Sequence, residues 1–192
     1  MSLCFLDVVS PSLTQALDAL SGTDVVVVPL LLSAGYHVLS DIPSVAAGRL
    51  RVRVTPHLGP DPLVIEAVAS RLAQARGGLD PATSVLAAIG STRDAARAEV
   101  ALAAHQLSTL LGRAVDVLSL GGAAEAALAR YPQPIEVAVY LLAEGGFLAG
   151  LRRSVRHVGV VADPIGVHPA LVSLVWQRYD ALNEPPGYRR RR

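Results

Sequence analysis

Two distant stretches of this chain repeat each other, and that repeat constrains the fold more than any single motif. LGPDPLVIEAVASRL, from Leu58 to Leu72, lies on IGVHPALVSLVWQRY, from Ile165 to Tyr179, at a constant offset of 107 residues (165 − 58). Val25 to Val28 lies on Val137 to Tyr140 at an offset of 112 (137 − 25). Each half therefore reads strand, helix, strand, helix, strand, helix with matching loops, as a duplicated βα domain does. The repeat is incomplete. The second half opens with an additional strand and helix, Ser84 to Leu111, and nothing ahead of Leu3 corresponds to it. In a doubly wound sheet of order 2-1-3-4 the first strand lies in the middle, so a copy lacking it has a gap between its neighbours. The expectation is either a true start roughly 30 residues earlier, about one βα unit, or a damaged copy. The expected division is a first, N-terminally incomplete lobe over residues 1–78, a second lobe over 83–182, and a disordered polar tail over 183–192, with the linker at Gly77, Gly78, Asp80 and Pro81.

The central stretch of the first half is Asp24 to Pro43, DVVVVPLLLSAGYHVLSDIP. Val25 to Leu32 is a β-branched and aliphatic run broken only by Pro29, the pattern of a strand buried on both faces. It falls far short of the roughly 20 residues that a bilayer needs. In open α/β sheets ligands bind beyond the carboxyl ends of the strands, and His37 follows this one. Composition agrees with α/β: 52% of the 192 residues are hydrophobic but only 4% aromatic, so Val, Leu and Ala must fill the core. A net charge of +1 gives no electrostatic case for nucleic acid or membrane. All 17 basic residues are Arg, which excludes Schiff-base chemistry on lysine. One cysteine, Cys4, cannot form an internal disulfide, and residues 1–10 show no secretory signal, so a reducing cytoplasm is expected.

Periodicity predicts strands over Leu3 to Val9, Val25 to Leu32 and Arg51 to Thr55 in the first half. Its helices are expected over Leu13 to Leu20, opened by Ser10-Pro11-Ser12, over Tyr36 to Ala47, and over Leu63 to Arg76. The second half is predicted to carry strands at Ser84 to Ile89, Val115 to Leu118, Ile135 to Leu142 and His157 to Ala162, with helices between them and a last one over Pro169 to Leu182.

FLDVVSPSL (Phe5 to Leu13), VVPLLLSAGYHVLSDIP (Val27 to Pro43) and LGPDPL (Leu58 to Leu63) resemble the CbiX/SirB-type class II chelatases, which insert iron or cobalt into sirohydrochlorin. The second half, with YLLAEGGF (Tyr140 to Phe147) and IGVHPAL (Ile165 to Leu171), is similar to the C-terminal copy of two-copy members. The resemblance implies two tandem flavodoxin-like lobes with parallel sheets. It also implies a tetrapyrrole cleft at the strand ends of the first copy, Fe2+ or Co2+ as substrate with no permanently bound cofactor, and a role in sirohaem or cobalamin biosynthesis. It assigns His37 to the second of two metal-handling histidines and Asp7 to the acid. The first histidine belongs to an H-G-S-R motif whose strand is absent from the first half. The second half has that strand but reads AIGSTRD, with Ile89 at the histidine position and Ala149 near that of His37.

Neutral imidazole suits iron and cobalt and can alternate between ligand and base near neutral pH. A carboxylate beside it can hold the ion or orient the ring. The bland alternatives are a solvated helix-terminal ring for His37 and a helix cap for Asp7. His57 can line the same cleft, whereas His168 is expected to be structural and His105 and His157 to be solvated or packed. Arg49, Arg51 and Arg53 are the nearest candidates for substrate carboxylates, against a solvated strand face, and Arg189 to Arg192 is a charge run. No G-x-G-x-x-G follows a strand, and neither a P-loop nor a G-x-S-x-G elbow is present. The competing expectation is a catalytically inactive relative that binds a tetrapyrrole or serves a structural role.

Overall fold

The computed structural model describes residues 1–120 and 124–183, so Asn183, the first residue of the tail expected over 183–192, instead ends the last helix, and the rest of that tail with its four arginines lies outside the described residues. The first half holds α1 (Leu13–Ala19), β1 (Val25–Val27), α2 (Ile42–Ala46), β2 (Val52–Val54) and α3 (Pro62–Arg76). The second holds β3 (Thr83–Ile89), α4 (Asp94–Leu111), β4 (Asp116–Leu120), α5 (Ala124–Leu128), β5 (Ile135–Val139), α6 (Gly146–Val155), β6 (Gly159–Val161) and α7 (Pro169–Asn183). Two separate parallel sheets result among the described residues. β3 to β6 form a four-stranded sheet of order β4-β3-β5-β6, and β1 pairs only with β2. The order of the larger sheet is 2-1-3-4, with its first strand, β3, buried between β4 and β5.

The same order explains the main departure from expectation. Residues 3–9 do not form the predicted strand; they keep only a bridge between Phe5 and Ser12, with Phe5 N–H donating to Pro11 C=O at 2.9 Å. By analogy with β4, this segment would pair only with a middle strand. Without that neighbour its backbone has no ladder to join, and a lone strand is unstable in water. β1 is affected in the same way. It is three residues long and half-buried rather than buried on both faces, because one edge is open and Pro29 cannot extend it. Within the Ser10-Pro11-Ser12 opening of α1, Ser12 is the cap, its hydroxyl accepting from Gln15 N–H while the Gln15 side chain closes the capping box.

Leu3 and Val8 are left 64% and 97% exposed beside the open edge of β1. Apolar segments next to an unpaired strand edge favour association. The chain is expected to self-associate as its concentration rises, and a Leu3→Asn/Val8→Asn variant to do so less. Light scattering over a concentration series checks this.

α3 precedes the linker in sequence but packs into the larger core. Val64, Ile65, Ala67, Val68 and Leu72 are buried with the strands β3 and β5 and with Leu174 of α7. The small sheet keeps a separate core of Leu13, Leu17 and Ile42, flanked by Val25, Val27 and Val52. The two halves meet reciprocally at positions that the repeat aligns. Arg71 of α3 donates to the Ile165 carbonyl at 3.2 and 3.0 Å, while Arg178 of α7 pairs with Asp61 at 3.0 Å. Each arginine thus reaches the loop that opens the other half's last helix. Asp61 caps α3 through Leu63 N–H at 3.0 Å, and His168 caps α7 through Ala170 N–H at 3.2 Å. This is the contact pattern of an isologous pair built within one chain.

Candidate metal centre and cleft

β1 ends before Pro29, and the chain crosses over to a π-helical turn, His37–Asp41, that runs into α2. Pro43 lacks an N–H, and Ile42 N–H reaches back five residues to the His37 carbonyl, so one extra residue is accommodated there. The turn places His37 and Asp41 on one face. Nδ1 of His37 lies 2.5 Å from Oδ2 of Asp41. An ionised carboxylate has only acceptors, so the shared proton belongs to Nδ1, and in the neutral ring the Nε2 lone pair is left free. Nε2 faces Oδ2 of Asp7 at 4.0 Å, with Asp7 83% exposed. The structure therefore brings together both residues singled out from the sequence and adds Asp41. Among the described residues no group of three or more His, Cys, Asp or Glu side chains is arranged to hold a metal ion.

His37 lines a cleft of about 390 Å³ between the two halves, beyond the carboxyl ends of β1, β3 and β5. Leu30, Leu31, Leu32 and Val38 form one side, while Ile89, Val100, Leu141 and Leu142 form the other. Ile89, which the resemblance places at the missing histidine, stands 53% exposed on that wall. Ala149 is an exposed residue of α6 and supplies no ligand.

The turn that presents His37 is held from the second half. Glu99 of α4 accepts from Ala34 N–H at 2.6 Å, and the same oxygen lies 3.2 Å from Nε2 of His57. Tyr140, after β5, donates to the Leu32 carbonyl at 3.1 Å. Gly59 makes room for that contact, since a Cβ there would stand 2.2 Å from the Tyr140 hydroxyl. His57 is thus tied to Glu99, and it also lines a smaller apolar pocket with Pro29, Val38, Ile42 and Pro43.

Burial, with the carboxylates of Glu99 and Asp61, pushes the Tyr140 phenol above its ordinary value of 10. Above pH 10 the unfolded phenol loses its proton while the folded one keeps it, so the native state binds more protons and stability falls as pH rises. This contribution is complete below pH 10. Denaturant unfolding of the wild type should steepen its alkaline loss by up to about 1.4 kcal/mol per pH unit relative to Tyr140→Phe.

The remaining candidates lie elsewhere. Arg49 pairs with Asp18 at 2.6 Å, Arg51 donates to the Gly22 carbonyl at 2.9 Å, and Arg53 donates to the Leu182 carbonyl. Arg49 and Arg51 precede β2, at the end of the small sheet opposite the cleft, so neither serves it. His105 is exposed, and exposed His157 accepts from Arg156 at 3.0 Å. Sequence reasoning missed Asp41, although its i, i+4 spacing from His37 was a usable signal. Glu99 and Tyr140 carried none, since each meets the first half only through the fold.

Residues 1–75 match the family model CbiX. The chain is similar in fold to SirB from Bacillus subtilis subspecies spizizenii in complex with cobalt, with a TM-score of 0.79 and 24% identity over 95% of this chain and 80% of that one. It is likewise similar to SirB from Bacillus subtilis with Fe3+, with a TM-score of 0.75 and 22% identity over 93% of this chain and 80% of that one. A CbiX described as the terminal enzyme for biosynthesis of siroheme in denitrifying bacteria matches at a TM-score of 0.61 and 24% identity, over 81% of this chain and 74% of that one. The search of curated proteins gave no match. Among the described residues no helix is long and apolar enough to cross a membrane.

Proposed function

We propose that this CbiX-type chain inserts a divalent metal, Fe2+ or Co2+, into sirohydrochlorin, with His37 and Asp7 delivering the ion. The observation that carries this reading is the Asp41-His37-Asp7 line at the edge of the cleft. A carboxylate holding Nδ1–H raises the basicity of the opposite nitrogen and fixes its direction. The 4.0 Å between Nε2 and Asp7 is a gap that an ion bonded at about 2 Å to each atom would span. Nε2 can also accept a pyrrole proton, which metal insertion must remove. The apolar cleft walls suit the face of a conjugated macrocycle. Solved SirB proteins of this fold, with Fe3+ and with cobalt, support the metal class.

A second reading, tetrapyrrole binding without turnover, is favoured by one observation: Ile89 occupies the wall where the resemblance expects the other histidine. Absorbance of sirohydrochlorin with Fe2+ or Co2+ separates the two. Appearance of the metallated spectrum faster than in protein-free buffer supports insertion, whereas a bound but unmetallated macrocycle establishes the binder.

A further inference from the structure

Arg93 stands just ahead of α4, and its guanidinium carbon lies 5.6 Å from the centre of the Tyr36 ring. The two residues come from opposite halves, so the stacked pair bridges them beside the cleft that Tyr36, Gly90 and Ser91 line. Tyr36 lines the cleft, is 58% exposed, and meets His37 edge-on at 6.1 Å between ring centres. Arg93 differs from the arginines around it. Arg97 spends its guanidinium on Asp94 and on the Ser91 and Thr92 carbonyls. Arg93 has no side-chain hydrogen bond or ion pair among the described residues, and only the π face of Tyr36 holds it. The acids nearby are committed: Glu99 to Ala34 and His57, Asp41 to His37, and Asp94 to Arg97. An arginine stacked on an aromatic ring keeps its planar fork of donors free and pre-oriented.

Resting on the chelatase reading of this cleft, we infer that Arg93, stacked on Tyr36, is the anchor for a peripheral carboxylate of the macrocycle. The substrate class is then an apolar ring with an anionic rim. The ring lies along the walls of Leu30, Leu32, Ile89 and Leu142, and one rim carboxylate takes the guanidinium bidentately, with His37 a single ring contact away. Arg93 replaces Arg49, Arg51 and Arg53 in this role because it alone of the four is at the carboxyl edge. Tyr36 holds the fork in place, so it is a positioning residue.

The test is a metal-free fluorescence titration of the full chain with uroporphyrin, an octacarboxylate, for the wild type, Arg93→Ala, Arg93→Lys and Tyr36→Leu. Thermal melting of each variant reports its fold. Arg93→Ala should bind roughly tenfold more weakly, the order of one charge-assisted bidentate pair. Arg93→Lys should recover only part of that, since a point charge lacks the fork. Tyr36→Leu should lose severalfold with an unchanged melt. If Arg93→Ala, melting as the wild type does, binds the porphyrin equally well, the anchor is wrong and the cleft reading survives. If the folded wild type binds no porphyrin at all, the cleft reading and the anchor fail together.

Discussion

His37→Ala is expected to lower metal insertion by roughly 10²- to 10⁴-fold, the range of a lost positioned base, and to abolish detectable divalent-ion binding by the chain. Two ligands make a weak site, and removing one leaves a single exposed carboxylate. Asp41→Asn is the sharper probe, because it changes the environment of the imidazole and leaves its position intact. An Asn side chain can donate to Nδ1 as well as accept from it, so the proton is no longer confined to Nδ1 and the Nε2 lone pair is no longer guaranteed. A loss of about 10- to 100-fold is expected, the size seen when a partner that orients a metal-binding histidine is removed. Isothermal titration with Co2+ and the insertion assay check both. Full activity in Asp41→Asn would mean that the 2.5 Å contact is a helix-surface ion pair with no part in the chemistry.

Glu136→Ala should destabilise the fold by about 3 kcal/mol, the lower end of the cost of breaking a buried ion pair. Glu136 is fully buried in β5, yet every oxygen is satisfied. Ser84 donates to Oε1 at 2.6 Å and Arg113 approaches the same oxygen through two nitrogens, while Arg76 donates to Oε2 at 2.7 Å. Arg76 ends α3, Ser84 lies on β3, and Arg113 follows α4, so one carboxylate ties the first half's last helix to the centre of the larger sheet. The arginines are 25% and 32% exposed and can turn towards water when the carboxylate is lost, which keeps the cost below the extreme. A loss of this size is a large part of the roughly 5–15 kcal/mol that holds a domain together. Urea unfolding measures it, with an unchanged m-value expected. Glu136→Ala as stable as the wild type would show that desolvation cancels the pair.

Local pattern and repetition made the α/β class and most helices legible. The helix predicted over Leu63 to Arg76 is α3 to within one residue, because its apolar spacing and its Asp61-Pro62 start are local instructions. The repeat offset also aligned Arg71 with Arg178 and Asp61 with His168, although only the fold showed that these residues cross between halves. The sequence likewise set His37 and Asp7 apart from the other histidines and acids, and the fold brings them to 4.0 Å.

What the sequence could not decide was pairing. Residues 3–9 have strand composition and are expected to form a strand beside a gap, but a strand needs a neighbour's backbone, and in the structure they keep only one bridge. The same limit hid Glu99 and Tyr140, which meet the His37 turn from 65 and 108 residues away. It also left the arginines open, since nearness in the chain offered Arg49, Arg51 and Arg53 while the solvated-face alternative stood beside them. The sequence thus determined which segments could be helix or strand and which side chains were candidates for metal chemistry, because both are written in local spacing and residue type. The tertiary structure decided which strands pair and which half braces the His37 turn, because those depend on backbone partners and charges that are distant in the chain.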